Sequence, residues 1–243
     1  MSEFLFYMMI FLENIIQGIT GFAGTIHAMP FSVPIVGYEI AKPVLNVLGI
    51  LAGIYVVAGN YRQINFAQLK KICIYMGIGI LAGIGVKHLA TGHENLLYGM
   101  LGIFVLVIGG KGLLECVTRR KKKKEYTRGA GALLLFAGIV HGMFVCGGPL
   151  VVGYLSGCTK DREEFRRTIS AVWIILNSMI LVSDLLAGYY TADTIRIQAV
   201  AVLFLFGGMF VGSVLYKRMS QQVFMVLTYL LLCISGLSLI VRK

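Results

Sequence analysis

Gly142-Met-Phe-Val-Cys-Gly-Gly-Pro149 and Gly18-Ile-Thr-Gly-Phe-Ala-Gly-Thr25 are two glycine-rich stretches set near the middle of long apolar segments. Glycine is a poor choice inside a simple spanning helix, because it gives up the most backbone entropy when ordered. The stretches lie 124 positions apart, and Gly18 with Gly142, and Gly24 with Gly148, fall in register. The pattern predicts that each stretch breaks a membrane helix and that the two breaks together form one binding site.

The rest of the chain has the composition of a membrane protein. Hydrophobic residues make up 58% and charged residues 14%, with a mean hydropathy of +0.83. A soluble domain is about 45–50% apolar and about 25% charged. The net charge of +11 does not point to nucleic acid, because the basic residues sit in loops between apolar runs and no basic face with interleaved aromatics occurs. Membrane proteins keep Lys and Arg on cytoplasmic loops, so the lipid bilayer is the expected partner. The five cysteines form no C-x-x-C pair and read as small buried hydrophobes. Neither a metal nor a cofactor is implied. Met1 to Phe11 holds no Lys or Arg and no A-x-A site follows, which does not read as a cleaved signal peptide.

A helix needs about 20 apolar residues to cross a hydrocarbon core of about 30 Å. That window gives eight segments: Phe4–Pro34, Pro43–Gly59, Ile72–Ala90, Leu96–Val117, Gly129–Leu155, Ile169–Gly188, Ile197–Tyr216 and Val223–Val241. The expected fold is an all-α polytopic membrane protein in two homologous halves. Residues 1–118 form the first transmembrane repeat, 119–128 a basic cytoplasmic linker and 129–243 the second repeat. Ala58-Gly59-x-Tyr61 matches Ala187-Gly188-x-Tyr190 at an offset of 129, and Gly79-x-x-x-Gly83 matches Gly208-x-x-x-Gly212 at the same offset. A small loop insertion accounts for the change from 124, and a constant order of matches is the signature of duplication. The G-x-x-x-G pairs put small residues on one helix face, which permits close packing inside a bilayer.

Orientation follows from where Lys and Arg fall. If all eight segments cross, the halves are parallel. With the central linker inside, 13 basic residues then lie inside and 8 outside. If segments one and five fold back as re-entrant hairpins, each half crosses three times and the halves are inverted. The distribution becomes 16 inside and 5 outside, with Lys111, inside segment four, left out of both. The second arrangement obeys the positive-inside rule better. Length agrees: Phe4 to Tyr38 suits two half-helices of roughly 15 residues rising about 1.5 Å each, and Pro30 and Pro34 fit a short second limb. Inverted repeats with broken or re-entrant first helices, and both termini outside, are therefore expected.

Three stretches carry a family resemblance: Gly142-Met-Phe-Val-Cys-Gly-Gly-Pro-Leu150, Gly18–Thr25 followed by Val33-Pro34, and Gly59-Asn-Tyr-Arg-Gln-Ile-Asn-Phe66. With the chain length, two-half layout and polar linker, they resemble the sulfite exporter TauE/SafE family of membrane permeases. The resemblance implies a secondary transporter of small sulfur-containing anions, such as sulfite or organosulfonates, in the plasma membrane. The first motif departs from the pattern at Ala23 and Thr25, where a fuller glycine run is expected. That bears on substrate more than on fold.

A broken helix exposes backbone N–H groups at the start of its second half, with the positive end of the helix dipole behind them. Such an end binds anions, and inverted-repeat transporters place these ends at the bilayer midplane. The expected substrate-binding groups are Thr20, Gly21, Gly24 and Thr25 at the first break and Cys146, Gly147, Gly148 and Pro149 at the second. Gln17 and His141 occupy equivalent positions just before the breaks. Asn46 and Ser170, again 124 apart, and Asn177 lie on the helices that follow. His27, after the first break, is a further expected substrate-binding group; Glu13 and His27 are also candidates to carry a coupling proton, and Glu13 alternatively faces outer water. Asp184 is expected to reach the outer interface, and Arg166 and Arg167 to draw anions to a cytoplasmic vestibule or to form a solvated face with Glu163 and Glu164. The leading function is alternating-access transport of a small anion. A channel-like anion pore and a carrier of a small carboxylate or other non-sulfur anion are the alternatives. No H-E-x-x-H or G-x-S-x-G motif suggests an enzyme.

Overall fold

The computed structural model describes residues 2–22, 24–59, 61–86, 94–118, 129–144 and 147–241. The basic linker at 119–128 lies outside them. All regular structure among the described residues is helical: α1 (Ser2–Thr20), α2 (Gly24–Val36), α3 (Tyr38–Ala58), α4 (Phe66–Val86), α5 (Glu94–Val117), α6 (Ala130–Phe144), α7 (Gly148–Leu155), α8 (Arg162–Leu186), α9 (Ala192–Arg218) and α10 (Gln221–Val241), with a 3-10 turn at Tyr61–Gln63. The chain is a polytopic helical membrane protein. Four described helices are long and apolar enough to cross a bilayer, namely Tyr38–Ala58, Phe66–Gly85, Arg162–Leu186 and Ala192–Arg218. Large apolar side chains such as Leu81, Leu203 and Phe210 stay exposed on outer faces, as lipid contact requires.

Segment one is two helices, α1 and α2, and segment five is likewise α6 and α7. The eight apolar segments thus become ten helices. Gly21 takes φ +82°, and Gly37, between α2 and α3, takes φ +81°. Both lie in the left-handed region that glycine enters without a Cβ clash. Gly37 alone separates α2 from α3, so its freedom makes the junction tight.

Two compact units share the chain. One holds residues 1–64 and 166–219; the other holds 65–165 and 220–243. Each unit therefore mixes the two sequence halves. In the first unit, α1 lies along α9. A Cβ placed at Gly208 would meet the Phe11 carbonyl and Asn14, and one at Gly212 would meet the Ile15 carbonyl and Gly18. Both contact positions advance together, so the helices run parallel. In the second unit, α4 lies along α6: Gly79 faces the Leu135 carbonyl and Gly138, and Gly83 faces the Ile139 carbonyl. Each of these contacts converts into its counterpart on α1 and α9 by the offsets 124 and 129 read from the sequence.

Other packings are antiparallel. In the first unit, Asn46 Nδ2 donates to the Asn177 carbonyl at 3.0 Å, while Gly53 faces Ser170 and Ile174, so α3 and α8 run in opposite directions. In the second, Gly102 faces Gly236 and Ile240, and Gly112 faces Tyr229, so α5 and α10 are antiparallel too. A core of Phe6, Tyr7, Ile10, Val44, Leu48, Ala201 and Leu205 ties α1, α3 and α9 together.

Close backbone approach is what the glycines on α9 and α4 provide, and lipid offers no hydrophobic drive to replace it. Gly212→Leu is expected to destabilise the purified protein by about 1–3 kcal/mol, the usual range for overpacking. Gly85→Leu, on the open side of α4 with nothing within 4 Å, is expected to leave the thermal unfolding midpoint unchanged.

Candidate functional site: two helix breaks

The first break is a helix end buried in protein. The last four carbonyls of a helix have no partner within the helix. Here a side chain supplies one to the Gly18 carbonyl. Arg166 on α8 is only 5% exposed. Its Nε donates to the Gly18 carbonyl at 3.0 Å, and its Nη2 donates to the same oxygen. Nη2 also donates to Ser213 Oγ at 3.2 Å, and the guanidinium lies 4.3 Å from the Tyr216 ring centroid. The cation therefore sits on the negative end of the α1 dipole, which it stabilises. Ser170 Oγ donates to the Gly21 carbonyl at 3.4 Å, and the Gly21 N–H returns to the Gln17 carbonyl at 2.7 Å.

Thr20 Oγ1 donates to the Ile16 carbonyl at 2.8 Å and accepts from the Phe22 N–H at 3.4 Å. Gln17 Nε2 donates to the Gly21 carbonyl at 3.4 Å. Gly24 opens α2. The side chains of Thr25 and His27 lie outside the described residues. A cavity of about 10 Å³, room for a single water molecule, lies between α1, α2 and α3, with Glu13, Asn14 and Gln17 as its polar walls. Glu13 is buried, and its Oε2 accepts no hydrogen bond among the described residues. Asn46 is buried on α3, with its Oδ1 also lacking a described donor.

The helices flanking this break are fastened at both ends. At one end Lys42 pairs with Asp184, and its ammonium lies 5.2 Å from the Tyr189 ring centroid. Burial, with the Asp184 carboxylate adding to it, pushes the Tyr190 phenol up to about 12. At the other end Arg167 donates to the Val56 carbonyl at 2.8 Å and to Gln63 Oε1 at 3.0 Å. Asp184 thus faces its lysine inside protein rather than the outer interface. Arg166 leaves the solvated face expected beside Glu163 and Glu164, because the α1 end requires a donor. Asn177 contributes its backbone carbonyl to Asn46, not its side chain.

The second break belongs to the second unit. α6 ends at Phe144 and α7 begins at Gly148; Cys146 lies outside the described residues. Gly147 is tightly enclosed: a Cβ there would strike the Ala137 carbonyl and His141 Cβ. Pro149 takes the first turn of α7, where a missing N–H costs nothing. His141, Gly148 and Pro149 are buried. Tyr154, farther along α7, donates from its hydroxyl to Gln68 Oε1 at 2.6 Å.

The family model for the sulfite exporter TauE/SafE matches residues 6–239, nearly the whole chain. The chain belongs to the sulfite exporter TauE/SafE family. No curated protein and no solved structure matches it. Family membership makes it a multi-pass membrane transporter of a family named for sulfite export, and the family's members are transporters rather than enzymes.

Within this TauE/SafE chain, Arg166 and Asp184 are the charged groups whose surroundings differ from the solvated face and the outer interface expected of them. Both sit near apolar-segment boundaries, where a charge reads equally as loop or core. Removing one partner of a buried ion pair strands the other, at about 3–5 kcal/mol. Asp184→Asn is expected to lower stability by that order. Lys42→Met with Asp184→Asn is expected to cost less than the two single changes summed, as read by a double-mutant cycle of thermal unfolding.

Proposed function

We propose that this TauE/SafE protein moves small sulfur-containing anions, sulfite or organosulfonates, across the plasma membrane by alternating access, with two inverted halves whose glycine-rich helix breaks are the substrate-binding elements. The observation that carries the anion assignment is the buried guanidinium of Arg166 at the first break. A cation and a helix N-terminus at one break, inside an apolar segment, favour a negative ligand over a neutral or positive one. Gly24 at the start of α2 and Gly148 at the start of α7 supply backbone N–H groups at matched positions.

The contacts support the inverted reading. Under inversion, equivalent helices of the two halves run oppositely. α3 and α8 are equivalent by the 124 offset, and their packing is antiparallel. The crossed contacts of α1 with α9 and of α6 with α4 convert into each other by the two offsets. The distribution of Lys and Arg favours the same arrangement. In a background lacking the native cysteines, Ala192→Cys is expected to react with a membrane-impermeant thiol reagent only from outside and Ser220→Cys only from the cytoplasm. The opposite pattern would refute inversion.

A transporter is separated from a pore by its kinetics. Purified protein in proteoliposomes is expected to carry sulfite with saturable, gradient-driven flux and to exchange internal for external sulfite. Linear flux without exchange favours the anion pore. Sulfite and a sulfonate are expected to raise the unfolding temperature more than acetate, because a ligand stabilises the state that binds it. Equal or greater stabilisation by acetate would move the assignment to a carboxylate.

A further inference from the structure

We infer that Glu13 is the site that binds and releases the coupling proton of this transporter, and that the protein carries one such site. The inference deepens the anion-transport reading and rests on it for the word coupling; the proton site itself does not.

Glu13 lies on α1, buried, and forms one wall of the small cavity between α1, α2 and α3. Among the described residues, the other groups that line the cavity carry no charge to stabilise a carboxylate. Ile10, Leu45 and Leu48 are apolar. Asn14 Nδ2 is directed to the Ile10 carbonyl at 2.7 Å, and Gln17 Nε2 to the Gly21 carbonyl. Glu13 Oε2 is left without a donor among the described residues. The charged groups on the packed helices are engaged elsewhere. Arg166 on α8 holds the Gly18 carbonyl. Lys42 on α3 pairs with Asp184 on α8. Arg196 on α9 pairs with Glu3 on α1 at 2.8 Å. None of them lines the cavity. His27 on α2 has a side chain outside the described residues.

Burying an ionised carboxylate without a cation or donor costs several kcal/mol, and such a group neutralises instead. The cavity therefore accepts the neutral acid. The cavity has room for no more than one water molecule, so exchanging the proton with bulk water on either side requires α1, α2 and α3 to part. An alternating-access cycle supplies that opening, so taking up and releasing the proton is tied to the conformational state. No bond other than that to the proton is made or broken: Glu13 gains one from water on one side and returns it to water on the other.

The second half does not repeat the acid. At the 124 offset, Glu13 corresponds to Ala137, and Asn14 to Gly138. The second half thus repeats the helices without the acid, which sets the expected ratio at one proton per substrate cycle.

The direct test does not depend on transport. Infrared spectroscopy of the purified protein in lipid, titrated from acid to alkaline pH, is expected to show a protonated-carboxyl band in wild type that Glu13→Gln lacks and Glu13→Asp retains at a shifted position. An identical band in wild type and Glu13→Gln overturns the inference. The second test uses flux of a sulfonate, fully ionised across the pH range, so that the anion carries no proton itself. Wild-type flux is expected to respond to a pH gradient. Glu13→Gln is expected to keep anion exchange and lose that response. A response unchanged in Glu13→Gln, or one driven by sodium at fixed pH, overturns the coupling role. If wild type carries neither sulfite nor sulfonate while the band follows Glu13, the transport reading fails and the proton site stands.

Discussion

The hardest physical condition in this molecule is the end of α1. A helix that stops inside protein, at the core of an apolar segment, leaves carbonyls that no water satisfies. Arg166 answers this with two donors on the Gly18 oxygen, and Ser170 adds a third on Gly21. Much of the first unit follows from that requirement. α8 starts beside the end of α1, and α3 and α8 pass each other in opposite directions. Arg167, the next residue, then reaches the far end of α3 at Val56. Lys42 and Asp184 close the same pair of helices at the other end.

Parallel contact between α1 and α9 rests on a second constraint, the absence of side chains. Gly208 and Gly212 let the α9 backbone touch the Phe11 and Ile15 carbonyls, and Gly79 and Gly83 do the same for α4 against α6. These pairs were visible in the sequence as matched G-x-x-x-G motifs, and their offsets foretold corresponding contacts. Their partners were not visible. Spacing shows that a face is small, but not which helix fills it. Here each pair packs against the first helix of the opposite half, so the compact units cut across the sequence repeats.

What the sequence made legible is apolar: the segments, the breaks within segments one and five, and the small faces. What it left open is where the buried charges go. Arg166 and Arg167 are adjacent, with the same chemistry, yet one is enclosed at the break and the other is bonded at an exposed edge. Helical geometry turns consecutive residues by about 100°, so a single position decides between core and rim. Periodicity fixes that choice only when the surrounding pattern alternates, and around Arg166 both faces are mixed. Asp184 was misplaced for a related reason. Its position near a helix end reads as interfacial until Lys42, 142 residues away in sequence, is found beside it.

The two halves keep a common skeleton and differ in what it carries. Gly208 meets Asn14 where Gly79 meets Gly138. A Cβ at residue 14 is tolerated because it faces Gly208, which has none, and the amide turns back to the Ile10 carbonyl along its own helix. The polar atoms of Asn14 therefore cost α1 none of its contact with α9. Three residues on, Gln17 and His141 stand at equivalent places, both polar and buried. Beyond them, Thr20 corresponds to Phe144. The first half thus holds an acid, two amides and a hydroxyl within two turns of α1, and the second keeps one imidazole. Packing constrains both halves equally, so packing cannot account for the difference. A polar row kept on one half alone, at the cost of burying it, is the chief chemical difference between the described parts of the two first helices.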